Sequence, residues 1–106
     1  DGFTWNTLDS EICAVNRDNV EFQEPGIYEF DNGELWVYFR TCYGYQYQSF
    51  STDGGSTWQA PHANKYFASP VSPMKIKKVG DYTVAVFNPY TSRENKILEL
   101  LIKGLF

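Results

Sequence analysis

Residues 51–58, Ser-Thr-Asp-Gly-Gly-Ser-Thr-Trp, constrain the fold of this chain more than any other stretch. They follow a β-like run and have the composition of a tight turn. Gly54 and Gly55 permit the positive φ that a sharp hairpin requires. The Asp53 carboxylate can accept backbone N–H groups across such a turn, and Trp58 supplies an apolar anchor to the sheet beneath. The stretch therefore predicts a hairpin turn, held by its own side chains, in a β-rich chain.

Length and composition indicate one small β-rich domain. The 106 residues are 42% apolar and 18% aromatic, and this aromatic load favours strands over helices. The formal charge of −4 and the scattered lysines and arginines argue against a non-specific nucleic-acid binder, which needs a dense basic face. They do not exclude an acidic small ligand, because a few converging arginines dominate a site locally. We find no apolar run of membrane-spanning length and no signal peptide, and we predict no metal or cofactor.

Part of the turn recurs at the start of the sequence. Residues 1–5, Asp-Gly-Phe-Thr-Trp, have the form of residues 54–58, and their tryptophans are 53 positions apart (58 − 5), half of the 106 residues. A repeat of about fifty residues with four short strands is typical of a β-propeller blade; the alternative is a coincidence of one pentapeptide. The repeat predicts an all-β partial propeller of about two four-stranded blades. In it, residues 1–22 end one blade, 23–69 form a complete blade and 70–106 begin the next.

Alternating apolar residues predict the individual strands. In residues 34–40 the odd-numbered apolar side chains share one face and the even-numbered aromatic ones share the other. The Asp31-Asn32-Gly33 and Gly80-Asp81 sequences are hairpin turns. Further strands are predicted at 11–15, 27–30, 45–50, 74–79 and 82–87, with a short outer strand near 65–68 inside a loop-like stretch, 59–69.

The last residues depart from this pattern. Five apolar residues share one helical face: Ile97, Leu98, Leu101, Ile102 and Leu105. Ser92 is a suitable helix N-cap, and Gly104 is suited to end a helix. We therefore predict a short C-terminal helix or an irregular end over 94–103.

Several isolated residues have competing interpretations. Cys13 and Cys42 are either two buried free thiols or one disulfide. His62 has no visible partner in the sequence and is interpreted as a solvated loop residue rather than as a ligand or base. Three lysines are interpreted as a solvated or channel-facing set rather than as a phosphate site: Lys75, Lys77 and Lys78.

The turn at 51–58 resembles the Asp box, the S-x-D-x-G-x-T-W motif of bacterial sialidases and related BNR-repeat β-propellers. All specified positions match: Ser51, Asp53, Gly55, Thr57 and Trp58. Residues 24–40 resemble the family stretch E-P-x-x-x-E-L-x-D-G that runs to an arginine, with the family's spacing from Glu24 to Arg40 (40 − 24 = 16). The resemblance implies a six-bladed propeller in which the Asp box is a structural turn away from the active site.

The same resemblance implies roles for three residues. Glu24 is similar to the catalytic glutamate that partners a tyrosine nucleophile, and Arg40 is similar to one of three arginines that bind the sialic acid carboxylate. Arg93 lies in a segment, 88–93, similar to the one that bears another of these arginines. Because a sialoside carries a carboxylate at its anomeric carbon, these enzymes depart from the two-carboxylate scheme, and a planar guanidinium suits that carboxylate. The alternatives are a Glu24 that satisfies backbone groups before Pro25 and a solvated Arg40 at a strand end.

The implied function is that of a sialidase-like glycoside hydrolase that removes terminal sialic acid from glycoconjugates. The tyrosine nucleophile and the acid/base aspartate are expected outside these residues, so the chain alone is expected to be inactive. The implied partners are a sialylated glycan or related acidic sugar and the rest of the propeller, in a secreted or periplasmic bacterial protein. One alternative is a non-catalytic Asp-box propeller that binds glycans or proteins. Another is a structural fragment whose open faces associate.

Overall fold

The structure is a computed structural model that describes residues 1–7, 10–12, 22–91 and 99–103. Within these residues, seven strands form two antiparallel sheets, and no helix is long and apolar enough to cross a bilayer. The first sheet is a meander of β1 (Gln23–Glu29), β2 (Leu35–Arg40), β3 (Gly44–Ser51) and β4 (His62–Ser69). The second contains β5 (Lys75–Val79), β6 (Tyr82–Phe87) and β7 (Glu99–Lys103) in chain order. The all-β prediction is confirmed.

The predicted turns join the strands as expected from their residue types. Gly33 adopts a φ of 85°, and the Asn32 side-chain oxygen accepts the Glu34 N–H at 3.0 Å, which closes the β1–β2 hairpin. At the β5–β6 hairpin, Val79 lies opposite Tyr82 across the two-residue turn. Both predicted hairpins are confirmed.

Two predictions about the strands need correction. β4 spans His62–Ser69, so the stretch predicted to be mainly loop contains a full strand. The helix or irregular end predicted over 94–103 is wrong for its last five residues, because Glu99–Lys103 form β7 and pair with β6. This pairing satisfies backbone N–H and C=O groups along β6, a tertiary gain that local helical spacing cannot reveal. The predicted strand at 11–15 lies mostly outside the described residues.

β2 is the centre of the hydrophobic core because both of its faces are covered. Trp36 and Tyr38, each 1% exposed, point toward the second sheet and belong to the core cluster. On the opposite face, Phe39 stacks on Phe22 with ring centroids 4.6 Å apart. The predicted two-sided alternation is confirmed, and it explains why this strand is apolar at consecutive positions.

The two sheets pack face to face through a continuous set of apolar side chains. The second sheet contributes Ile76, Ala85 and Phe87 to this core, and Met74, directly before β5, is buried with them. The Phe67 and Phe87 rings meet edge to face at 5.2 Å, a favourable aromatic geometry. The Tyr38 hydroxyl also accepts the buried Ile76 N–H at 3.0 Å. This hydrogen bond fixes the position of β5 relative to β2.

Candidate functional site

The residues of the candidate site come together because antiparallel strands alternate in direction. β1 begins where β2 ends, and Gln23 pairs with Arg40. A register irregularity between Gln23 and Gly26 displaces the intervening residues from the regular ladder. Glu24 lies within this bulge with a φ of 49°, an uncommon backbone conformation for a residue with a side chain. The bulge therefore brings a carboxylate beside the end of β2.

Glu24 and Arg40 form a direct ion pair. Arg40 Nη1 donates to Glu24 Oε2 at 3.0 Å, with the side chains 22% and 49% exposed for Arg40 and Glu24, respectively. The Arg40 Nε–H lies below the surface and has no acceptor among the described residues. One side of the guanidinium is thus held by the protein, while the Nε–H of the same group is a buried donor without a described acceptor. The sequence placed both residues in one site but did not predict that they bind each other.

Arg93, the third predicted site residue, lies outside the described residues. The last described residue before Arg93 in the sequence is Thr91. The Thr91 side chain lies beside Gly44 at the start of β3. A Cβ added to Gly44 would meet the Thr91 Cβ at 3.4 Å. The segment that leads to Arg93 therefore passes the strand ends where Arg40 lies, and the position of Arg93 itself stays a prediction.

Buried polar groups that sequence analysis missed lie at the same end of the first sheet, where it joins the second. Gln46 is 0% exposed, and its side-chain nitrogen donates to the Ser72 carbonyl oxygen at 2.8 Å. The Ser69 hydroxyl, also 0% exposed, donates to the same carbonyl at 3.1 Å. Between these serines, Val71 adopts a φ of 60°. A sequence signal for this junction existed: Gln46 and Gln48 interrupt an otherwise aromatic strand at period two.

The turn at 51–58 lies at the opposite end of the sheet, between β3 and β4. Asp53 Oδ1 accepts the Ser51 hydroxyl and the Thr57 N–H, both at 2.8 Å, and Oδ2 accepts the Thr57 hydroxyl. The Trp58 indole N–H donates to the Gly55 carbonyl oxygen at 3.1 Å. Gly55 itself has a φ of 91°, which suits glycine. The Ser10 hydroxyl also donates to the Gly55 carbonyl oxygen at 3.0 Å. The five motif residues therefore make a structural turn, remote from the Glu24–Arg40 pair.

Residues 1–5 form a turn with part of the same bonding. The Trp5 indole N–H donates to the Gly2 carbonyl oxygen at 3.1 Å, as Trp58 does to Gly55. Asp1 Oδ1 accepts the Phe3 and Thr4 N–H groups, each at 2.9 Å. The two turns are thus similar in structure as well as in sequence, because in both the tryptophan indole binds the carbonyl oxygen three residues before it.

The other candidate residues have ordinary structural surroundings. His62 is exposed at the first position of β4, and its Nε2 lies 3.1 Å from the Gln48 side-chain nitrogen, so it has the partner that the sequence did not reveal. Cys42 is a free, exposed thiol rather than a buried one, whereas Cys13 lies outside the described residues.

Lys78 forms an exposed ion pair with Asp31 at 3.0 Å. The described residues contain no group of three histidine, cysteine or acidic side chains suited to a metal ion.

A cleft of about 630 Å³ opens on the face of the first sheet that packs against the second. Its walls include Phe30, Phe50, Tyr66 and Phe67, with His62 at one side. Neither Glu24 nor Arg40 lines it. The aromatic cleft is therefore separate from the candidate site.

The comparisons with known proteins add no family to this geometry. No protein-family model matches the sequence, and no curated protein matches it.

Proposed function

We propose that this chain is part of a sialidase-like β-propeller and that Arg40 binds the carboxylate of a terminal sialic acid. The observation that carries the proposal is the state of the Arg40 guanidinium. Glu24 holds Nη1 at 3.0 Å, while the Nε–H has no acceptor among the described residues. The Arg40 side chain is 22% exposed, and a ligand carboxylate that enters beside the guanidinium would satisfy this buried donor with a charge-assisted hydrogen bond.

The surrounding architecture supports the same proposal. A four-stranded antiparallel meander carries the Asp-box turn at one end and the Glu24–Arg40 pair at the other. In the proposed propeller, such strand ends face a site that several blades share. The bonding common to Trp5 and Trp58 supports a repeated unit.

Glu24 has two tasks under this proposal. It orients the Arg40 guanidinium, and in the assembled site it acts as the base that partners a tyrosine nucleophile. The strained backbone at Glu24 favours a functional role, because a φ of 49° costs free energy that a merely solvated glutamate would have no reason to incur. The tyrosine itself is proposed to lie in another blade.

The carboxylate contact is tested by titrating the isotope-labelled chain with N-acetylneuraminic acid and following the Arg40 Nε–H resonance by NMR. We expect a shift of that resonance and weak binding, with a Kd on the order of 1 mM. Arg40→Lys should weaken binding about tenfold, because the lysine ammonium lacks the planar fork of donors. Lys65→Gln, which removes an exposed charge elsewhere, should leave binding unchanged.

The methyl ester of the same sugar is the matched ligand control, because it differs only in lacking the charge. Equal binding of acid and ester, or an unmoved Arg40 Nε–H resonance at saturation, would contradict carboxylate recognition. In a separate assay, we expect the chain alone to release no sialic acid from a model sialoside. Measurable release would show that the nucleophile and acid/base lie within these residues.

A further inference from the structure

The outer face of the second sheet is an exposed surface of mixed apolar and basic character. β5 and β6 pair so that alternate residues of each strand share this face, away from the core residues Ile76 and Ala85. We call it the basic face; its members are Lys75, Lys77, Val79, Tyr82, Val84 and Val86. Val79 is 56% exposed and Tyr82 is 59% exposed, although apolar and aromatic side chains favour burial.

The charge of the basic face stands out in an acidic chain. The whole sequence carries a formal charge of −4, yet Lys75 and Lys77 project from adjacent outward positions of one strand. Lys78 points to the other side and is bound by Asp31. Of the lysines on the basic face, neither forms an ion pair with another described residue.

The opposite side of the molecule presents a complementary surface on β1. Tyr28 points into the space between the sheets, where its hydroxyl lies 3.0 Å from that of Thr83. Its neighbours Ile27 and Glu29 therefore point outward, and both are exposed, with Ile27 at 60%. Glu29 forms no ion pair within the described part of the chain. We call Ile27 and Glu29 the acidic edge.

We propose that the basic face binds the acidic edge of a second copy of this chain. Ile27 would pack on the apolar side chains around Val84, and Glu29 would pair with Lys77.

The two surfaces lie on opposite faces of the two-sheet stack, so the association is head to tail. A contact between unlike surfaces leaves one of each free at the ends and does not close as a symmetric dimer does. The chain therefore forms a concentration-dependent series of oligomers, and rising salt weakens it by screening the Lys77–Glu29 attraction. This inference is independent of the sialic acid site.

Sedimentation velocity between about 5 and 500 μM tests the proposal, with circular dichroism to verify that each variant is folded. We expect the wild-type sedimentation coefficient to rise with concentration. Lys77→Glu and Glu29→Lys should each weaken association about tenfold or more, because like charges then face each other. An equimolar mixture of the two variants should associate again, because each supplies the partner charge that the other needs.

Lys65→Glu is the matched control, since it makes the same charge change outside both surfaces and should leave association intact. A wild-type chain that stays monomeric over the whole range overturns the proposal. Association that is insensitive to both charge reversals would assign the contact to another surface, such as the aromatic cleft. Failure of the mixture to recover would overturn the Lys77–Glu29 pairing.

Discussion

Asp53 shows how a fully exposed carboxylate can be a structural group. Three donors surround it within one turn: the Ser51 hydroxyl, the Thr57 N–H and the Thr57 hydroxyl. The hydrogen bond from the Thr57 hydroxyl, followed by those from the Thr57 N–H and Ser51, lowers the pKa of Asp53 to about 2. All of these bonds favour the ionised form. The stability of the turn therefore depends on pH, although the Asp53 carboxylate is exposed to solvent.

We predict that this turn loses stability under acid conditions. Because the pKa of Asp53 falls from 3.8 to about 2 on folding, the ionised carboxylate contributes to the free energy of unfolding. This contribution is fully present above about pH 4. The contribution is lost as pH falls from about 4 to about 2, where the unfolded chain binds the proton first. Thermal unfolding followed by circular dichroism should show the melting temperature falling over this interval. Asp53→Asn should lower the melting temperature at pH 7 and flatten the acid-induced fall.

Asp81→Asn is the matched control for this prediction. It removes one carboxylate from the tip of the β5–β6 hairpin, outside the turn at 51–58. We expect it to keep the wild-type fall in melting temperature between pH 4 and pH 2. If Asp53→Asn retained the full wild-type fall, the turn would not be the source of the acid sensitivity.

At the scale of the elements, the pairing of β1 with β2 depends on one residue without a side chain. Gly26 lies opposite Tyr38, and a Cβ on Gly26 would lie 2.2 Å from the Tyr38 Cζ. The phenol cannot simply move aside, because it is 1% exposed and its hydroxyl accepts the Ile76 N–H. Glycine is therefore required here for the close approach of a ring and not for an unusual φ.

Gly26→Ala should consequently destabilise the chain by about 1–3 kcal/mol, the usual cost of overpacking a rigid core. Urea unfolding followed by tryptophan fluorescence would measure the free energy of unfolding. On a Tyr38→Leu background the same substitution should cost much less, because the phenol that it displaces is absent. Equal costs on both backgrounds would assign the effect to the β1 backbone rather than to the clash.

The elements also show which parts of this fold the sequence specifies. Turn chemistry and period-two alternation predicted β2, β3, β5 and β6 because these signals are local. β7 was missed because a short apolar run fits a helix and a strand equally well, and pairing with β6 decides between them. β4 was predicted too short because its polar start, including His62, is stabilised by Gln48 on the neighbouring strand.

The candidate site was predictable to a similar extent. Family-like spacing predicted that Glu24 and Arg40 belong together, and their ion pair places them in contact. The bulge that brings Glu24 to Arg40 contains Pro25 and Gly26, residue types that are common at bulges, but its effect on Glu24 follows from the register of two paired strands. The buried Gln46–Ser72 contact joins β3 to the connection between the two sheets, and no local signal could predict it.

At the scale of the whole molecule, the two sheets are connected by polar as well as apolar contacts. The Tyr38 hydroxyl accepts the Ile76 N–H, and the Tyr28 and Thr83 hydroxyls lie 3.0 Å apart. Lys78 reaches from β5 to the β1–β2 turn. Each of these contacts requires both sheets to be folded. Their apolar faces also bury one another, so neither sheet keeps a covered core without its partner.

We therefore predict that the two sheets unfold in one cooperative transition. Ile76→Ala should destabilise the chain by about 2–5 kcal/mol, because Ile76 is 3% exposed and the truncation leaves a cavity between the sheets. The change in tryptophan fluorescence on unfolding reports on Trp36 in the first sheet and Trp58 in its β3–β4 turn, since Trp5 is already 85% exposed. Far-ultraviolet circular dichroism reports on both sheets, and the two urea midpoints should shift together. Lys65→Ala, at an exposed position of β4 outside the basic face and the acidic edge, should change the free energy of unfolding by less than about 0.5 kcal/mol. If Ile76→Ala moved the circular dichroism midpoint but not the fluorescence midpoint, the first sheet would be stable without the second.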